Sequence, residues 1–123
     1  MSYEERLGIL QAEFPFDRWH RSFEEYGMEQ YTKQNCTRAS TIVNNQLTSL
    51  TALGELASEE EKLATFQTAV EALNSLDSEI GSFIETDERE DLCELFNKIA
   101  CAVGLEVSKY GNGEGPASEW RDW

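Results

Sequence analysis

Proline is nearly absent from this chain. Only Pro15 and Pro116 occur, and about a hundred residues run between them without that backbone break. Glycine is sparse in the same stretch, with only Gly54 and Gly81 between Gly27 and Gly104. Long helices are expected there. Cations are scarce as well: 10 Lys plus Arg face 24 Asp plus Glu, a formal charge of −14. That excludes direct binding of nucleic acid or of an anionic membrane, because phosphate contacts need clustered cations. No stretch approaches the roughly 18 apolar residues of a membrane span. A secretory signal needs a cationic start and an apolar run of about 7–15 residues, and Met1-Ser2-Tyr3-Glu4-Glu5-Arg6 offers neither. The cysteines, Cys36, Cys93 and Cys101, are odd in number. Cys93 and Cys101 fall on one expected helix about 12 Å apart, too far to bridge. A reduced, cytoplasmic setting is expected, with each thiol a small core residue.

Catalytic and metal signatures are missing too. His20 is the single histidine, and the sequence shows neither a nucleophile nor an orienting group beside it. There is no Cys-x-x-Cys, no His pair and no His-Glu-x-x-His. A carboxylate cluster at Glu85, Asp87, Glu88, Asp91 and Glu94 lacks the His that di-iron bundles use. Gly111, Gly113 and Gly115 form a Gly-x-Gly-x-Gly run without a following Lys-Ser/Thr, and Glu114 in its middle would repel phosphate. No catalytic residue, metal or cofactor is expected, and the chain is not expected to be an enzyme.

What is present suffices for one domain. The 123 residues are 40% hydrophobic and 11% aromatic, enough for a core and against whole-chain disorder. Ser2 and Glu5 have capping-box spacing before an apolar face of Tyr3, Leu7 and Leu10 that Pro15 ends. Asp17 is the expected cap of a second short helix, with Trp19, Phe23 and Tyr26 inward, stopping near Gly27. A third segment, Met28 to Ala57, repeats Cys36, Ala39, Val43, Leu47, Leu50, Leu53 and Ala57 at helical period, with a break expected near Thr37–Ser40. Ser58 and Glu61 form the clearest boundary, a second capping box with acids at the positive end of the dipole. Leu63, Phe66, Val70 and Leu73 follow as an apolar stripe, and Ile80, Phe83 and Ile84 either extend that helix past Gly81 or form a separate turn. Thr86 is the expected cap of a last helix carrying Leu92, Leu95, Phe96, Ile99 and Val103, with Gly104 as its stop. The fold class is all-α, a single-domain bundle of four to five helices over residues 1–107. Residues 108–123 form an irregular Gly-rich tail with Trp120 and Trp123, packed on or near the bundle.

Charge is uneven along the chain. Between Arg38 and Arg89 the only cation is Lys62, against ten acids. Asp77 to Glu94 is an anionic band around a helix–helix junction. Its bland reading is a solvated face that answers helix dipoles. Its sharper reading is an electrostatic docking surface for a basic protein. The tail adds Trp, Tyr and Arg, the residue types enriched in binding hot spots.

Small size, strong acidity, a single domain and no catalytic set give a chain that resembles bacterial immunity proteins of the polymorphic-toxin and contact-dependent inhibition kind. The resemblance implies stoichiometric binding to a cognate basic toxin domain, such as a nuclease, whose cleft is blocked by carboxylates standing in for phosphates. The expected partner-binding residues are Glu85, Asp87, Glu88, Glu90 and Asp91 for electrostatics, and Trp120, Asp122 and Trp123 as hot spots. The alternative is a non-catalytic helical adaptor or regulatory protein acting through another protein or as a homodimer, with the mostly uncharged segment Thr41–Leu53 as its self-association face.

Overall fold

A computed structural model describes all residues, Met1–Trp123. Five α-helices follow in order: α1 Tyr3–Gly8, α2 Phe16–Tyr26, α3 Lys33–Leu53, α4 Glu59–Ile80 and α5 Thr86–Ala102. Short 3₁₀ turns occupy the α1–α2 and α2–α3 connections and the tail, and there is no strand. The fold is all-α. No helix is long and apolar enough to cross a membrane.

The two capping boxes form as the spacing predicts. Ser2 Oγ accepts from the Glu5 N–H at 3.1 Å, and Ser58 Oγ accepts from the Glu61 N–H at 3.1 Å. Tyr3, Leu7 and Leu10 are buried, as are Phe66, Ala69, Val70, Leu73 and Leu76 of α4, while Leu63 is half-buried. Leu92, Leu95, Phe96, Ile99 and Val103 complete the α5 side of the core.

Several boundaries differ from the sequence reading, each for a local reason. The first helix stops at Gly8, and Ile9–Glu13 tightens into a 3₁₀ turn before Pro15. Pro15, not Asp17, occupies the cap position of α2, and Asp17 sits exposed in its first turn. Only the first turns of α2 reach the core, through Phe16 and Trp19, so Phe23 is 36% and Tyr26 77% exposed. Helix α3 starts at Lys33 rather than Met28, because the Thr32 hydroxyl accepts from the Asn35 N–H at 3.2 Å and sets a new start. It then runs unbroken through Thr37–Ser40 to Leu53. Leu53 is 36% exposed, so the inward stripe of α3 ends at Leu50. At the α4–α5 junction the separate turn forms. Gly81 adopts φ +77°, a left-handed conformation that ends α4. The Asp77 carboxylate accepts from the Phe83 and Ile84 N–H groups at 3.1 and 2.7 Å. Glu85, not Thr86, caps α5, with the Glu85 N–H donating to Glu88 at 3.2 Å. Of the thiols only Cys36 is buried; Cys93 is half-buried and Cys101 exposed.

Helices α3 and α4 form an antiparallel hairpin joined by a short loop, with α2 on the far side of α3 and α1 crossing between α3 and α5. The tail is part of the same core. Its segment Pro116–Glu119 packs against both α4 and α5, and Ala117 and Trp123 are buried in the common cluster. Gly115 makes this approach possible: it has φ +118°, and a side chain there would collide with the Asn97 amide.

One end of the bundle gathers the start of α1, the end of α3, the start of α4 and the end of α5. Lys62 lies at its centre, 7% exposed. Its ammonium donates to the Glu55 carbonyl at 2.8 Å and the Val103 carbonyl at 2.9 Å, and sits 5.8 Å from the centre of the Tyr3 ring. Arg6 Nε donates to the Ala102 carbonyl at 3.1 Å. Two cations thus satisfy carbonyls at the negative end of the α5 dipole. Replacing Lys62 with Met keeps the apolar stem and leaves both carbonyls without a donor. The expected loss is about 2–3 kcal/mol, read as a lower denaturant midpoint with an unchanged slope.

Candidate functional site

The acidic band spans the α4–α5 junction, and its α5 part lies beside an aromatic cluster. Trp19 packs edge-on against Phe16 at 5.1 Å and Phe83 at 5.5 Å, and Tyr31 lies 5.7 Å from Phe83. Trp and Tyr carry polar edges that need partners when buried, and two band carboxylates supply them. Asp91 accepts from Trp19 Nε1 at 2.9 Å and pairs with Arg18 at 2.6 Å. The Glu88 carboxylate lies beside the Tyr31 hydroxyl. Burial, and then that neighbouring carboxylate, hold the Tyr31 phenol far above its ordinary 10.0. Glu88 and Asp91 therefore brace α5 against the α2 side of the molecule.

Glu85, Asp87 and Glu90 are exposed, and none forms an ion pair. Most cations are already engaged within the fold. Arg6 pairs with Glu55, Arg18 with Asp91, Arg38 with Glu79, Lys98 with Glu13 and Glu94, Lys109 with Glu59 and Arg121 with Glu114. The outward field is accordingly left to unpaired carboxylates.

The tail splits in the same way. Trp123 is buried and Trp120 half-buried, while Asp122 is exposed. Asn74 of α4 clamps this segment: its Nδ2 donates to the Trp120 carbonyl at 2.8 Å, and its Oδ1 accepts from the Asp122 N–H at 3.0 Å. The Arg121 guanidinium lies 5.8 Å from the centre of the Trp123 ring. On α5, Asn97 donates to the Glu114 carbonyl at 3.1 Å. Helical spacing puts Glu90 on the same face as Cys93 and Asn97, toward the tail, and Asp91 on the face toward α2. Of the eight expected contact residues, Glu88, Asp91 and Trp123 hold the scaffold. Glu85, Asp87, Glu90 and Asp122 face outward, and Trp120 does both.

Two concavities were not legible from the sequence. A polar cleft of about 790 Å³ between α2 and α3 is lined by Asp17, His20, Glu24, Lys33 and Cys36 among others. His20 Nδ1 lies 3.1 Å from the Tyr31 carbonyl, which can only accept, so Nδ1 carries the proton and Nε2 faces Glu24 at 3.9 Å. Burial, and then the Asp17 charge, push the Cys36 thiol up to about 11, so it stays a neutral thiol at ordinary pH. No three His, Cys, Asp or Glu side chains converge in a metal-holding arrangement. The second concavity is a groove of about 630 Å³ between α3 and α4. Compared with protein-family models, curated proteins and solved structures, the chain has no match.

The two roles of neighbouring acids separate by mutation. Asp91→Ala strands the Trp19 N–H and should cost about 1–3 kcal/mol, with a shift in Trp fluorescence. Glu90→Ala should change stability by less than about 0.5 kcal/mol.

The buried thiol sets a pH limit. A raised pKa means that the folded state favours the neutral form. Its contribution is complete below the ordinary value of 9.0 and is lost as pH rises through about 11. Tyr31 acts in the same direction at still higher pH. Urea unfolding should show stability falling above pH 9, and Cys36→Ala should flatten that fall between 9 and 11.

Proposed function

We propose that this chain is a small acidic inhibitor, of the immunity-protein kind, that binds and neutralises a basic protein toxin domain such as a nuclease. The observation that carries the reading is the set of exposed carboxylates Glu85, Asp87 and Glu90, free of ion pairs, at the start of α5. Glu88 and Asp91 fix α5 against the aromatic cluster, so the outward carboxylates are presented on a rigid element. Asp122 and the exposed part of Trp120 extend the contact face along the tail.

Such a surface works by steering first and contact second. Surplus negative charge draws a cationic cleft in at rates approaching about 10⁸–10⁹ M⁻¹s⁻¹ at low salt. The carboxylates then occupy the positions that substrate phosphates would take, while a half-buried Trp supplies apolar area. The inhibitor performs no chemistry; it excludes substrate.

The reading requires a toxin domain encoded beside this gene in the native genome; a neighbourhood without one counts against it, and the test uses that domain. Co-expression should restore growth to a host that expresses that domain. The triple variant E85K/D87K/E90K should slow association tenfold or more and weaken its salt dependence. Association at the wild-type rate would remove the acidic face from the account. Absence of binding to that domain would remove the inhibitor reading itself.

A further inference from the structure

One face of this strongly anionic molecule carries almost no charge. It is the α3–α4 groove, lined by small and uncharged side chains including Ile42, Asn45, Ser49, Ala64, Thr68 and Ala72. Glu61 is its single ionised lining residue, and its carboxylate is already engaged by the Ser58 N–H at 3.1 Å. Residues of this size let another helix approach closely. At the end of the groove Leu53 is 36% and Leu56 99% exposed.

A second, independent feature lies at the groove's floor. Gln46 is 3% exposed, yet its Oε1 has no hydrogen-bond partner. Its amide orientation follows from its neighbour. The Thr65 hydroxyl donates its proton to the Lys62 carbonyl at 2.7 Å, so it can only accept from Gln46 Nε2, at 3.4 Å. Oε1 is thereby turned away from Thr65 and left without a donor, a costly state for a buried carbonyl.

We propose that the α3–α4 face is a homodimer interface, and that its occupant is the same face of a second copy of this chain. Charge selects that occupant. A basic partner is drawn to the carboxylates elsewhere, whereas two copies at −14 each repel least where a nearly neutral face meets its own like. Symmetry selects it as well. In a two-fold interface each patch meets itself, and Gln46 lies near the middle of the stripe from Ile42 to Leu53, a span of about 16 Å. A small rotation of each side chain lets the second Nε2 proton of one Gln46 reach the partner's Oε1, the acceptor left without a donor. The paired helices present roughly 30 by 20 Å, about 600 Å² per copy. That is below the roughly 800 Å² of a standard interface, so the dimer is a weak one, in the micromolar range.

The inference is independent of the inhibitor reading and needs only the purified full-length chain. Sedimentation velocity up to about 200 µM should show a monomer–dimer equilibrium. It should tighten severalfold as NaCl rises from about 0.05 to 0.5 M, because salt screens the repulsion between like-charged copies. Ala64→Glu and Ala64→Lys, at an exposed position, should each weaken the dimer at least tenfold with unchanged helical circular dichroism. The Lys variant lowers the net negative charge, so its failure to dimerise isolates the groove from bulk repulsion. A wild-type chain that stays monomeric throughout overturns the proposal. So does a dimer that persists in both variants, since that dimer uses another face.

Discussion

The buried ammonium of Lys62 is the constraint on which the rest of the architecture depends. A charge this deep is tolerated only when its donors are satisfied. Here they go to the Glu55 and Val103 carbonyls, with the Tyr3 ring alongside. Three chain segments are thereby tied together at one end of the bundle: the α3–α4 loop, the start of α1 and the end of α5. Carbonyls that would otherwise face a closed interior find a cation. Arg6 completes the arrangement by bonding the Ala102 carbonyl and pairing with Glu55. In a chain with so few cations, their placement at a helix C-terminus shows where positive charge matters most to folding.

The opposite end is organised by aromatic rings and the carboxylates that serve them. Trp19, Tyr31, Phe16 and Phe83 pack with one another, and the polar edges of Trp19 and Tyr31 reach Asp91 and Glu88. The acidic band is therefore two populations of carboxylates. Some of its members are core components with a polar tip, and the others are surface charges free to meet a partner. Asp77, closing the turn before α5, belongs with the first group.

Local features were legible in the sequence and distant ones were not. The Ser2–Glu5 and Ser58–Glu61 boxes involve residues three apart, and the apolar stripes of α4 and α5 are set by helical period alone. The all-α fold followed from these. The roles of Lys62, Asn74 and Asp91 rest on partners 41, 46 and 72 residues away, and no local pattern encodes such contacts. Lys62 reads as an ordinary cation in the first turn of a helix, and Asp91 as one more acid in a run of them. Tyr26 and Phe23 misled in the other direction. Their spacing suits an inward face, but α2 extends beyond the core it packs against. The tail reads by composition as an irregular segment packed on or near the bundle, but no local pattern says where; Gly115 and Pro116 let it enter the space between α4 and α5.

The nearly uncharged α3–α4 groove also gives the molecule a direction. Carboxylates stud α1, the outer side of α2, the exposed side of α4, the start of α5 and the tail, while the groove itself is lined by one ionised residue, Glu61. A particle built this way does not land at random on a positively charged support. It adsorbs with its acidic flanks down and that groove turned toward the liquid, so an immobilised layer would display one orientation of the protein.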